Sequence, residues 1–345
     1  ASIVGIDNLT LSATSIILDK NSSKRDDGVV VDFATSNLDV RTNGTNSILL
    51  DTVGVNKGSF EAALTGELNV ADAFITTGDF TVALENSKDI TLSDESSVNT
   101  SMTTFSATNL DILVGSDDFG INVKGTTLSM AYFTSLEDSE DSWLVAESTT
   151  DSVEFKGLPD SITIQPTKIA LDINLANGTN NNTVVNLSED KALTVGSLLL
   201  DNDGSRGEQI TIDMSAKLAV GEYLYVDGDF AIDKFSKEMT LSDASTVQTD
   251  IFTFGGKDVD LFAGINREDD DKLGFEVINT DFGLAFLNDG TNDYSALTVD
   301  SSSASIVGID NLTLSATSII LDKNSSKRDD GVVVDFATSN LDVRT

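Results

Sequence analysis

Residues 304–345 repeat residues 1–42 without a single difference, so the chain returns to its start after 303 positions. Polar loop positions such as Ser22, Ser23 and Lys24 carry no packing requirement that would keep them fixed. Identity across them therefore marks a tandem duplication, and self-similarity at a fixed period points to a repeat architecture before any chemistry is considered. What a chain of this kind does is to be sought first in what an array does.

A second, diverged duplication lies inside the period. GDFTVALENSKDITLSDESSV, from Gly78 to Val98, aligns with GDFAIDKFSKEMTLSDASTV, from Gly228 to Val247. Downstream, NLDILVG (109–115) matches DVDLFAG (258–264), Trp143 falls opposite Tyr294, SITIQPTKIALD (161–172) matches NLTLSATSIILD (311–322), and SILLD (47–51) matches SLLLD (197–201). Residues 78–227 form unit A. Residues 228–345 open unit B, which would continue into a next copy, and residues 1–77 are the latter part of a unit B. Length differences between the units fall in polar stretches such as GINREDDDK (264–272) and NDGTND (288–293), as expected where backbone is solvated.

The segments between those loops alternate. Ile210, Ile212, Met214, Leu218, Val220, Leu224, Val226, Phe230 and Ile232 share one parity, the period-two signature of a sheet with that face buried. Strands of four to nine residues, broken at stretches such as KFSKE (234–238) and GGKD (255–258), predict an all-β protein. The two prolines, Pro159 and Pro166, suit a fold in which inner strands need their N–H donors. Two architectures fit: an elongated β-solenoid or β-tube of tandem repeats, or a string of antiparallel β-sandwich domains. The lack of Pro- or Gly-rich linkers favours the continuous form.

Composition excludes several functions. The 57 acidic against 21 basic residues leave a net charge of −36, which opposes binding to nucleic acid or anionic membrane surfaces. The chain has no Cys and no His, so disulfides, thiolate metal sites and the commonest general base are absent. No apolar run has the roughly 18 residues of a membrane span. Clustered carboxylates near Gly turns are the only constellation with chemical potential. Asp201, Asp203 and Glu208 in DNDGSRGE, Asp269, Asp270 and Asp271 in REDDDK, and Asp289 and Asp293 in NDGTND offer the hard oxygen ligands Ca²⁺ takes. The other reading is a set of solvated acidic turns. Since these loops are where the units differ, a unique catalytic carboxylate pair is not expected, and the chain reads as no enzyme. Trp143, Tyr132, Tyr223, Tyr225 and Tyr294 are either sugar-stacking aromatics or braces at strand ends.

The succession of GDF, TLSD, variable loop, Trp or Tyr, and VGIDNLTLSAT resembles the long tandem repeats of very large bacterial surface or secreted proteins. The short-strand texture is similar to filamentous-haemagglutinin-like β-helical adhesins. The resemblance implies an extracellular or cell-surface structural segment of a giant protein, forming a fibre, stalk or filament. Its partners would be neighbouring copies end to end and, laterally, other chains. The alternative it implies is an adhesin repeat whose loops engage glycan or another cell surface with Ca²⁺.

Overall fold

A computed structural model describes residues 9–345 except 26, 44, 56–57, 71–73, 116–119, 157, 160, 179–182, 222, 268–270, 310–311 and 313. The chain is all-β, with 70% strand and 2% helix, and among the described residues no helix is long and apolar enough to cross a membrane. It divides into two compact units. The first comprises Ala1–Leu113, Gly125–Ser148 and Ile173–Gly207, and the second Val114–Lys124, Thr149–Asp172 and Glu208–Thr345.

In chain order the strands are β1 (Leu9–Asn21), β2 (Leu38–Asn43), β3 (Asn46–Leu50), β4 (Ser59–Val70), β5 (Phe74–Thr91), β6 (Ser97–Gly115), β7 (Gly120–Ser135), β8 (Ser142–Lys156) and β9 (Ile162–Asn177). They continue as β10 (Leu193–Val195), β11 (Leu198–Leu200), β12 (Gln209–Val220), β13 (Leu224–Thr240), β14 (Thr246–Ile265), β15 (Leu273–Asn288), β16 (Asp293–Val307), β17 (Leu314–Ala316) and β18 (Ile319–Ser326). One short helix, α1 (Phe336–Ser339), follows. The sequence boundaries at Gly78 and Gly228 fall inside β5 and β13.

The first unit has the neighbour order β1-β4-β5-β6-β7-β8, and the second β12-β13-β14-β15-β16, with β17 and β18 both on β16. β1 with β4, β4 with β5, and β12 through β16 in succession are antiparallel. The path is open and closes into no barrel. From β4 to β9 and from β12 to β16 each strand hydrogen-bonds to its neighbour in the chain, and a solenoid is not established.

Two expectations need correction. The strands of the large sheet, β17 and β18 apart, are longer than four to nine residues, because the polar breaks are absorbed. KFSKE lies within β13, with Ser236 Oγ donating to Asp250 across the strand at 2.7 Å. GGKD lies within β14, where the register slips between Gly256 and Val259 and Asp258 takes φ 51. Such a bulge bends a strand without ending it. Asn109 in β6 takes the matching φ of 53 at the equivalent position.

The apolar parity of β12 and β13 is not the buried face. Ile210, Ile212, Met214, Phe230 and Ile232 are only half-buried and Val220 is exposed, whereas Gln209, Thr211, Ala231, Asp233 and Phe235 on the opposite face are buried. The fully covered face carries the smaller and more polar residues because a later stretch of chain lies on it.

The turns between the long strands are written in TLSD. Asp94 accepts from the Ser96 amide at 3.0 Å with Glu95 at φ 65, and Asp243 accepts from the Ser245 amide at 3.0 Å with Ala244 at φ 66. An aspartate that hydrogen-bonds two residues ahead closes the turn, and the next residue carries the left-handed backbone. Beside each turn sits a core: Ile90, Leu92, Met102, Phe133, Trp143 and Val185 in the first unit, and Met239, Leu241, Ile251, Leu287, Tyr294 and Val334 in the second.

Candidate functional site

The chain stretch that covers the second unit runs through residues 319–345, and its seat is the most specific constellation in the molecule. β18 pairs along β16, from Ser301 opposite Ile319 to Tyr294 opposite Ser326. Lys327 then pairs with Asp293 at 2.9 Å. The Arg328 guanidinium grips Asp330 (Nε to Oδ1 2.9 Å), which also accepts from the Val332 amide at 3.1 Å. The side-chain hydrogen bond from Arg328, then the Val332 amide, brings the Asp330 carboxyl down to about 2.

Past this hook, the segment adds to the TLSD turn. Ser242 N donates to Val333 O and Asp335 N donates to Thr240 O, both at 2.8 Å, while Val334 bridges Leu241 and is 1% exposed. Asp335 caps α1 by accepting from the Ala337 and Thr338 amides at 3.1 and 3.2 Å. Lys237 Nζ donates to the Ser339 and Asn340 carbonyls at 3.0 Å each, placing a cation where the last carbonyls lack partners.

The final residues cross a glycine platform. Gly255 of β14 lies opposite Gly283 of β15. A Cβ on Gly255 would fall 1.9 Å from the Arg344 carbonyl oxygen, and one on Gly283 would meet Val343 at 3.2 Å. Arg344 ends the segment in a clamp: Nε donates to both oxygens of Asp233 at 3.1 Å and Nη2 to Asp213 at 2.7 Å. Asp233 is 1% exposed, and a buried carboxylate needs such a partner.

The first unit repeats the device with other residues. Ser93 N donates to Val184 O at 2.8 Å, Leu92 bridges Val185, and Asn186 N donates to Thr91 O at 2.9 Å. A single 3-10 turn at Glu189–Lys191 replaces α1. The β10–β11 hairpin then sits on Ser106 and Ser129, which occupy the places of Gly255 and Gly283; Ser129 Oγ donates to Val195 O.

The aromatic pair aligned from sequence is buried in equivalent roles. Trp143 and Tyr294 are each 2% exposed. Trp143 Nε1 donates to Thr183 O at 2.8 Å, and Tyr294 Oη donates to Asp289 Oδ2 at 2.8 Å. Both brace strand ends. Tyr132 and Tyr223 are exposed, and Tyr225 lies under Arg267, 4.9 Å from the ring centre.

The acidic candidates are scattered. Asp289 holds its own turn, accepting from the Thr291 amide at 2.9 Å and from the Asn292 amide at 2.6 Å. Desolvation pushes its carboxyl up, but the hydrogen bonds from Asn292, Tyr294 and Thr291 outweigh it and bring it to about 2. Asp293, in the same turn, accepts from Asn288 at 2.7 Å and pairs with Lys327. Asp203 accepts from the Ser205 amide at 2.8 Å, the Asp201 amide donates to Glu147, Glu208 is exposed, and Asp271 accepts from Asn266 at 3.0 Å. Asp269 and Asp270 lie outside the described residues. Among the described residues, no three acidic side chains converge as a metal-binding group. In DNDG the organising residue is the buried Asn202, which accepts from the Gly204 amide at 2.9 Å and from Asn174 Nδ2 at 3.0 Å.

Asp213, Asp233, Gly255, Gly283 and Arg344 were not singled out from sequence. The available signals were an Asp at inward parity in β13 and a Gly-Gly pair inside an alternating run. No family model matches the chain, and neither a curated protein nor a solved structure is similar to it.

Proposed function

We propose that this chain is a structural, non-enzymatic tandem-repeat segment of a giant extracellular bacterial protein that forms a fibre, stalk or surface filament. The observation that carries this reading is the pairing of the verbatim repeat. Ile16–Asn21 pair with β4 as part of β1, while the same letters at Ile319–Asn324 pair with β16 as part of β18. β9, their counterpart in unit A, has both kinds of neighbour at once, β8 and β12. In an uninterrupted array each such strand would have a neighbour on both edges. The acidic surface supports the same reading, since like charge keeps long neighbouring chains apart in solution. Surface location and bacterial origin rest on the resemblance of the repeat pattern.

Chains carrying one, two and three copies of the 303-residue period, compared by small-angle scattering, test this. The maximum dimension should grow by a constant increment per copy. Particles that stay compact as copies are added would exclude a fibre. Specific retention on a glycan array would instead assign an adhesive role.

A further inference from the structure

The two units hold one lysine in matching frames and give it different company. Lys88 and Lys237 stand at equivalent places in the aligned sequences. Thr100 Oγ1 donates to Lys88 O and Thr249 Oγ1 to Lys237 O, each at 2.9 Å. In the second unit the ammonium is occupied, donating to the Ser339 and Asn340 carbonyls. In the first unit the covering stretch makes only the Glu189–Lys191 turn, and among the described residues the half-buried Lys88 ammonium makes no hydrogen bond or ion pair. A partly desolvated ammonium without acceptors is unfavourable, and an oxygen ligand that reaches it removes the penalty.

Beside Lys88 the first unit also has space that the second does not. The matched bonds from Asn186 N to Thr91 O and from Asp335 N to Thr240 O put Leu187 in the place of Phe336 and Ala192 in that of Leu341. Phe336 and Leu341 pack against the second core. The smaller pair leaves a pocket of about 240 Å³ lined by Lys88, Ile90, Phe133, Leu187 and Leu193. Its floor reaches the core, since Phe133 is fully buried and Ile90 and Leu187 are each 5% exposed. Of the other charged groups on its rim, Asp89 accepts from Asn99 at 2.7 Å, Lys191 pairs with Glu95 at 3.2 Å and Asp190 is exposed.

We propose that this pocket binds a small apolar carboxylic acid in its ionised form, whose carboxylate takes on Lys88 the place that two backbone carbonyls take on Lys237. The hydrocarbon body would lie on Ile90, Phe133, Leu187 and Leu193. An inorganic anion would leave that apolar floor wet, and a neutral hydrocarbon would leave Lys88 without acceptors; only a ligand with both parts satisfies both walls. Unit A occurs once in each 303-residue period, so an array would carry one such site per period. The tandem-array reading rests on strand pairing and would survive the loss of this one.

The test uses the full chain and isocaproate as the probe, with isocaproamide, uncharged and of the same shape, as its control. Calorimetry should give saturable binding at a single site with a Kd of about a millimolar, as suits so small a ligand. Amide shifts in NMR should be confined to the neighbourhood of residues 88–91, 133 and 186–193. Isocaproamide on the unaltered chain, and isocaproate on K88M, should each bind about tenfold more weakly, the loss of one charge-assisted hydrogen bond. L187F/A192L gives the pocket the side chains of the second unit and should abolish binding, while the near-UV signal of Trp143, the only Trp and part of the same core, reports that the first unit stays folded. K237M, in the filled counterpart, should bind as the unaltered chain does. The proposal is overturned if isocaproate gives no saturable shift up to about 20 mM, if the amide binds as tightly as the acid, or if K88M or a folded L187F/A192L binds as the unaltered chain does.

Discussion

Residues 12–42 and 315–345 are the same peptide twice, and they differ in what lies beneath them. The later copy rests on a sheet whose inward positions are small or oppositely charged: Gly255, Gly283, Asp233 and Asp213. The earlier copy pairs with β4 and β3, its Phe33 amide donates to Thr52 O and its Asp32 carboxylate accepts from the Gly54 amide. A four-residue helix forms at Phe336–Ser339, yet the same letters at 33–36 make only turns. A strand forms at Leu38–Asn43 because β3 follows it, while residues 341–345 cross the glycine platform without a ladder. Burial thus depends on the partner surface and not on the apolarity of the segment.

That contrast can be broken by substitution at matched positions. V334D places a charge in the second core and should destabilise that unit by about 4 kcal/mol, whereas V31D should change stability by less than about 0.5 kcal/mol. Urea titrations of the two variants check this, and equal effects would mean that the two copies share one environment. G255A drives a methyl group into the Arg344 backbone and should cost about 3 kcal/mol, with amide protection lost at residues 332–345 and kept at 29–42 in NMR exchange. R344A leaves the buried Asp233 short of its cation. Because the guanidinium is partly solvated, about 2 kcal/mol is expected, against a negligible cost for R41A on the surface; a thermal melt of each resolves the difference.

Acid should act on what the copies share. Asp330 lies at about 2, and Asp27 is likewise depressed, first by its own Arg25. A carboxyl held below its ordinary value stabilises the folded form above about pH 4 and loses that contribution as pH falls through about 2. The Val29 and Val332 amide resonances, each bonded to the hook aspartate, should therefore both shift as pH falls below about 4. If only the Val332 amide responds, the hook belongs to the seat and not to the local sequence.

Much of the fold was legible without coordinates. The duplication, the all-β class and the equivalence of Trp143 and Tyr294 follow from alternation and self-alignment. The buried face was misread because parity records where apolar residues stand, and in β12 and β13 the half-open face carries more of them than the covered one. Strand length was misread because Lys, Ser and Glu at outward positions, and a bulge at Asp258, resemble turns when only their polarity is visible. The clamp at Asp233 was hidden because its partner, Arg344, lies 111 residues away.

The sequence alone determined the local shapes that appear in both copies: the Arg–Asp hook, the aspartate cap and the Asn–Val hydrogen bond, all closed within about ten residues and so independent of context. Only the tertiary structure decided that Val334 is buried, that residues 336–339 complete a helix and that Arg344 is clamped. Each of those needs a second surface brought from far along the chain, and for an identical peptide that surface is the only variable.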